Sequence, residues 1–197
     1  EEFPDVKPFL KTYDFPNSIL TEGRLKIALD PKRLDMVRSS VADVASEESM
    51  VLYVAPWNEV SVIDPDSVDM VFSQAVLEHV NDLPGTYAAL SLWLKPGAFM
   101  SNQVDFRSHG TSKHWNGHWG YSPLTWKLIT GNRPYVINRK PHSAHVELML
   151  CNDFDVVSDI IYSPPDQSGI AKPTLKGLTD EDLRTSGAHF QAAKRSN

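Results

Sequence analysis

The 197-residue sequence contains one cysteine, Cys151, and no long hydrophobic run. A lone cysteine excludes an intramolecular disulfide and a zinc site built on cysteine pairs, and it is typical of a reducing compartment. No apolar stretch approaches the roughly 18 residues that a membrane-spanning helix needs. The first residues, EEFPDVKPF, show neither the basic nor the apolar part of a secretory signal. We therefore expect a cytoplasmic protein with no membrane partner.

An excess of basic side chains is also missing. The chain has 19 Lys and Arg against 25 Asp and Glu, which gives a formal net charge of −6. Proteins that bind nucleic acid through its phosphates need an excess of cationic side chains, so the composition argues against that partner. The hydrophobic content of 41% is ordinary for a globular protein, and the length suffices for one domain with a sizeable core.

Short apolar runs alternate with segments of helical apolar spacing along the chain. The predicted strands cover residues 25–29, 50–55, 68–73, 98–104, 154–162 and 188–193. The predicted helices cover residues 31–45, 83–94, 122–130 and 142–150. This alternation predicts an α/β layered sheet, in which ligands bind beyond the carboxyl ends of the strands.

Residues 64–100 contain an ordered series of short motifs. These are Ser67-Val68-Asp69, the apolar Met70-Val71-Phe72, the polar Ser73-Gln74, Val76-Leu77-Glu78-His79-Val80, Asp82 and Leu94-Lys95-Pro96-Gly97. The series resembles the second half of class I S-adenosylmethionine-dependent methyltransferases, with Ala98 where the family has a second glycine. The resemblance extends more loosely over residues 50–194. It implies a Rossmann-like methyltransferase sheet with helices on both faces, and S-adenosyl-L-methionine as cofactor.

The sequence departs from the family at its N-terminal side. Family members carry a Gly-rich loop with a G-x-G-like core after their first strand, and this chain contains no G-x-G. The resemblance therefore implies a sheet that is incomplete on that side. We expect residues 1–24 to form an irregular arm or remnant and residues 25–197 to form the methyltransferase-like domain.

An incomplete sheet leaves strand edges open. In the family's strand order, 3-2-1-4-5-7-6, the first strand is central, so the strands at 50–55 and 68–73 would lose their common neighbour. Open apolar edges favour pairing with another chain. Three coverings are expected as alternatives: chain upstream of Glu1, a partner or second copy of the protein, or the arm at residues 1–21.

The resemblance also implies which residues contact the cofactor. Asp30 would bind the ribose hydroxyls, unless residues 1–49 are an insertion that follows an absent strand. Trp57 and Asn58 would contact the adenine, although a tryptophan in a loop also packs into cores. The remaining candidates follow the strand at 68–73, and they are Ser73, Gln74, Ala75, Glu78 and His79. For Glu78 and His79, maintenance of the fold is an equal alternative.

The segment 107–121 is rich in histidine, tryptophan and glycine and follows a predicted strand. We interpret it as a lid over the acceptor, with Asp105 or His109 as the base that removes a proton from the acceptor. The expected substrate-binding residues are His114, Trp115, His118 and Trp119. Docking of this loop for stability is the alternative. The histidine spacing fits no known zinc motif, so no metal site is expected.

Two functions from different classes remain at this point. The first is an enzyme that transfers a methyl group from S-adenosylmethionine to a small-molecule or sugar acceptor. The second is a non-catalytic methyltransferase-like scaffold or interaction domain that has lost cofactor binding, for which the missing Gly-rich loop is the argument.

Overall fold

A computed structural model describes residues 19–55, 59–164, 169 and 173–196 of the chain. The chain divides into two compact units, Glu1–Ala55 and Pro56–Asn197. Residue 24, after which the methyltransferase-like domain is expected to begin, lies within the first helix. None of the described helices combines the length and the apolar character needed to cross a membrane.

The first unit contains two helices, α1 (Glu22–Ala28) and α2 (Pro31–Ala42). The predicted strand at residues 25–29 is wrong, because these residues belong largely to α1. The Thr21 hydroxyl caps this helix by accepting a hydrogen bond from the Arg24 amide at 3.4 Å, and the Asp30 carboxylate caps α2 through the Lys32 amide at 3.0 Å. Asp30 therefore begins a helix and does not end a strand, while the predicted helix α2 is confirmed.

The predicted strand at residues 50–55 is also wrong. These residues have no regular secondary structure, and the side chains of Leu52 and Tyr53 are each 78% exposed. A continuous apolar run becomes a buried strand only where neighbouring strands pair with it. No described strand pairs with this segment.

The second unit contains the sheet. Its elements are β1 (Val68–Gln74), α3 (Leu83–Trp93), β2 (Leu94–Asp105), α4 (Pro123–Thr130), α5 (His142–Cys151), β3 (Phe154–Tyr162) and β4 (Gly187–Lys194). The four strands and three helices predicted for this part of the chain are confirmed.

The strands form one sheet in the order β1-β2-β4-β3. β1 and β2 are parallel and joined through α3, with Gln74 opposite Gln103, whereas β4 is antiparallel to both β2 and β3. Adjacent parallel strands end at the same edge of a sheet, so the segments after β1 and β2 start side by side. The predicted α/β, Rossmann-like class is confirmed.

The core lies between the sheet and the helices α3 and α5, which contact each other and the strands. Alternate residues of β2 and β4, such as Met100, Val104 and Phe190, point into it and are fully buried. Tyr87 of α3 and His145 of α5 share a hydrogen bond of 3.0 Å within this core. The other face of the sheet carries exposed apolar side chains, including Met70 and Phe72 of β1.

Replacement of Leu90 by alanine should destabilise the second unit by about 2–5 kcal/mol, because it leaves a cavity in the core. Leu90 lies within α3 and is 8% exposed, whereas Leu128 lies within α4 and is 76% exposed. Leu128→Ala is the matched control, with an expected change within about 0.5 kcal/mol. Urea unfolding measures both values, and equal losses would contradict this assignment of the core.

Complete burial, together with the nearby His142 and Lys140, lowers the pKa of His145 from 6.5 to about 3. Protonation then favours the unfolded chain, in which the histidine titrates normally. The contribution of neutral His145 to the free energy of unfolding is therefore fully present above pH 6.5. It falls toward lower pH by up to about 1.4 kcal/mol per pH unit for one proton.

We expect His145→Gln to make this dependence shallower by the slope of one proton, because the amide does not titrate. The measurement is urea unfolding at pH 7, 6 and 5, with the exposed His114 replaced by glutamine as control. Parallel curves for the wild type and His145→Gln would contradict the lowered pKa.

Candidate functional site

The candidate site lies at the carboxyl ends of β1 and β2. The Ala75 amide donates a hydrogen bond of 3.0 Å to the Gln103 carbonyl, which extends the pairing of the two strands by one residue. Ala75 has a φ of 53°, a left-handed conformation that turns the chain away from the sheet. The next residues, Leu77–His79, form a single 3-10 turn. This turn brings two of the predicted site residues, Glu78 and His79, to the strand edge.

Asn138 fixes the turn from a distant loop. Its side-chain amide donates to the carbonyls of Leu77 at 2.7 Å and Val80 at 2.8 Å. Its backbone amide donates to the Glu78 carbonyl at 2.7 Å. Three hydrogen bonds from one residue hold the backbone of the turn in one position. No sequence pattern indicated Asn138, because these contacts join segments about sixty residues apart.

Glu78 is 3% exposed, and neither carboxylate oxygen has a hydrogen-bond partner among the described residues. Burial raises the pKa of this carboxyl above its ordinary value of 4.5; the amides of Glu78 and Asp105, which lie near it without forming hydrogen bonds of normal geometry, and His79 offset only part of this effect. A buried carboxylate without a partner is destabilising when it is charged. Glu78 therefore favours a proton or a cation beside it.

The imidazoles of His79 and His109 lie edge to face, with ring centroids 5.2 Å apart. The Nδ1 atom of His79 donates to the Tyr135 carbonyl at 2.7 Å, and that of His109 donates to the Arg107 carbonyl at 2.8 Å. A carbonyl only accepts, so in each neutral ring the hydrogen lies on Nδ1 and the lone pair on Nε2. One ligand atom from each of Glu78, His79 and His109 lies within 4.8 Å of the other two.

Asp105 ends β2 and binds Arg107 through two hydrogen bonds from Nε, at 2.9 Å and 3.0 Å. Partial burial acts to raise the pKa of this carboxyl, but the hydrogen bonds and charge of Arg107 hold it below its ordinary value. The carboxylate also lies 3.7 Å from Nε2 of His109. An ionised carboxylate held by an arginine is a weak base. Of the two predicted bases, His109 has the more accessible lone pair.

The residues predicted to bind substrate fall into two groups. His114 is exposed and Trp115 is half-buried, so both have surface that a ligand can reach. His118 and Trp119 are buried, and Trp119 donates from its indole nitrogen to the Arg139 carbonyl at 3.1 Å. Burial, with nearby Arg139 and His109, lowers the pKa of His118 to about 3. His118 and Trp119 thus have almost no surface open to solvent, as expected of a loop docked for stability.

The remaining cofactor candidates are dispersed. Ser73 is half-buried and donates to the Asn102 side-chain oxygen at 2.8 Å, while Gln74 is exposed at the end of β1. Asp30 lies in the first unit, where it caps α2. Trp57 and Asn58 lie outside the described residues.

A shallow groove of about 250 Å³ opens beside the acidic end of β2. It is lined by Asp105 and Arg107, and by Tyr162 and Gly187, which are the last residue of β3 and the first of β4. The groove places a charged pair and an aromatic ring at the same edge of the sheet as the histidines. None of the groove residues from β3 and β4 was predicted as a site residue. The rule that ligands bind beyond the carboxyl ends of strands applies to parallel strands, and β4 is antiparallel to its neighbours.

Comparison with known proteins agrees with the sequence motifs. Residues 24–101 match the family model described as a methyltransferase domain. A SAM-dependent methyltransferase from Methanosarcina mazei superposes with a TM-score of 0.50 and 16% identity, over 82% of this chain and 78% of the other. An S-adenosylmethionine-dependent methyltransferase from Mesorhizobium loti gives a TM-score of 0.49 and 15% identity, over 84% and 77% of the two chains. No curated protein shows significant sequence similarity.

The fold is that of the S-adenosylmethionine-dependent methyltransferases. The family match covers the motif-bearing residues 64–100 and thus rests on the same part of the chain as the predicted resemblance. Residues 24–101 are thus similar to a methyltransferase domain, and the Methanosarcina mazei protein that shares the fold is SAM-dependent, in agreement with the predicted cofactor class.

Asn138→Ala should destabilise the second unit by about 1–3 kcal/mol, because it leaves two carbonyls of the 77–80 turn without their donor. Asn132→Ala, at an exposed position of the same loop, is the control and should be nearly neutral. Urea unfolding provides the comparison. If the two variants lose the same stability, the turn does not depend on Asn138.

Proposed function

We propose that this chain binds S-adenosyl-L-methionine and transfers its methyl group to a small-molecule or sugar acceptor. The observation that carries the proposal is the convergence of Glu78, His79, Asp105 and His109 at the shared end of the parallel strands β1 and β2. Ligands of open α/β sheets bind at this edge. The net charge of −6 supports an uncharged or cationic acceptor over nucleic acid, and the lone cysteine supports a cytoplasmic location.

When bound, S-adenosylmethionine supplies an electrophilic methyl group on a sulfonium, and its transfer leaves the neutral thioether S-adenosylhomocysteine. The acceptor atom forms a bond to the methyl carbon as the carbon–sulfur bond breaks, and an acceptor hydroxyl or amine gives up a proton. Positioning of the two reactants supplies most of the acceleration in such a displacement. The turn fixed by Asn138 gives this edge the required rigidity.

His109 is the proposed base for that proton. Its Nε2 lone pair is available because Nδ1 donates to the Arg107 carbonyl. Asp105 lies 3.7 Å from Nε2 and is held ionised by Arg107, so it stabilises the imidazolium that forms. Asp105 thus assists His109 and is not itself the base.

Gln74 is the proposed contact to the cofactor on β1, since it is exposed at the strand end next to the turn. Isothermal titration calorimetry with S-adenosylhomocysteine, in buffer that contains a chelator, tests this. We expect one-to-one binding that Gln74→Ala weakens about five- to tenfold, the cost of one hydrogen bond. Gln191→Ala, at an exposed position of β4, is the matched control and should bind normally.

A scaffold that does not bind the cofactor is the second candidate function. One observation favours it, the absence of any G-x-G in the chain, because glycines let the backbone approach a ligand closely. The calorimetric titration separates the two functions. No binding of S-adenosylhomocysteine by the folded chain would overturn the enzyme proposal and support the scaffold.

A further inference from the structure

We propose that Glu78, His79 and His109 form a binding site for a divalent transition-metal ion of the zinc type. One ligand atom from each of the three side chains lies within 4.8 Å of the other two. Two imidazoles and one carboxylate are the donor set of catalytic zinc sites, in which a fourth position stays open. The histidine spacing in the sequence predicted no metal site, so the proposal differs from that prediction.

The burial of Glu78 is an independent observation that points to a cation. Its side chain is 3% exposed, and both carboxylate oxygens lack a partner among the described residues. A carboxylate in such a place needs a compensating positive charge. No lysine or arginine forms an ion pair with Glu78 in the part of the chain that the structure describes.

Each histidine keeps one ring nitrogen free for a metal. The Nδ1–H of His79 is held by the Tyr135 carbonyl and that of His109 by the Arg107 carbonyl, so each Nε2 lone pair is available. A backbone carbonyl on the second ring nitrogen is the usual outer partner of a metal-bound histidine, because it fixes both the tautomer and the ring orientation.

Closure of the site requires a small movement. Ligand atoms on tetrahedral zinc lie about 3.4 Å apart, given zinc–nitrogen distances of about 2.0–2.1 Å. The ligand atoms, which lie within 4.8 Å of one another, must therefore approach by at most about 1.4 Å. His109 is the residue able to move, because its side chain is 32% exposed while Glu78 is buried and Asn138 fixes the turn that carries Glu78 and His79.

The open coordination position would hold an oxygen of the acceptor. This step rests on the proposed function and refines it, since it selects acceptors with a hydroxyl or carboxylate beside the methylated atom. A bound cation occupies the Nε2 lone pair of His109, so His109 cannot then act as the base. Polarisation of the acceptor hydroxyl by the metal would replace that role.

The test is a titration of the chelator-treated, dialysed chain with Zn²⁺ by calorimetry and with Co²⁺ by visible absorption. We expect one-to-one binding, a rise in melting temperature and the intense visible bands of four- or five-coordinate cobalt. His109→Asn should weaken Zn²⁺ binding by more than the roughly 10- to 100-fold that loss of an outer partner costs. Glu78→Gln should weaken it similarly.

His114→Asn is the matched control, because this exposed histidine lies near His109 in sequence but outside the cluster. His109 is on the surface, so its replacement leaves the fold intact, which circular dichroism verifies. The proposal is overturned if the wild type does not bind Zn²⁺ one to one, or if His109→Asn binds as tightly as His114→Asn. Binding of S-adenosylhomocysteine in chelator, with no metal binding, would refute the metal site alone.

Discussion

The parallel pairing of β1 with β2 is the constraint on which the site depends. It places the segments that follow the two strands side by side, and the Ala75–Gln103 hydrogen bond continues it to the point where the chain turns. Asn138 then fixes the turn through three backbone contacts. The backbone positions of Glu78 and His79 are therefore set by hydrogen bonds to the turn, and the Tyr135 carbonyl holds the His79 ring. Such a site keeps its shape without a ligand, which lowers the cost of binding one.

The same pairing leaves β1 at the edge of the sheet. Among the described strands β1 pairs with β2 alone, and Met70 and Phe72 are exposed on the face opposite α3. An exposed apolar edge strand favours pairing with another strand. The open edge expected from the sequence thus belongs to the strand whose carboxyl end leads into the turn of Glu78 and His79.

Sequence patterns predicted the second unit well because its apolar runs are long and its turns are marked by Asp82, Pro123 and similar residues. They failed at residues 25–29, where three alternating apolar positions fit a strand and a helix equally, and the Thr21 cap decides for the helix. At the site, the motif located Glu78 and His79. Asn138 remained hidden because its contacts are long-range, and the burial of Trp119 depends on how an irregular loop packs.

The burial of Glu78 links the stability of the fold to the proposed chemistry. A charged carboxylate without a partner is costly to the fold, and the cost disappears with a proton or a cation. If a proton neutralised Glu78, the neighbouring Nε2 lone pairs of His79 and His109 would have no common ligand. A cation uses all three groups at once and accounts for the hydrogen bond that each Nδ1 makes to a carbonyl. The buried carboxylate of Glu78, unpartnered among the described residues, therefore destabilises the metal-free protein and would bind a metal ion strongly.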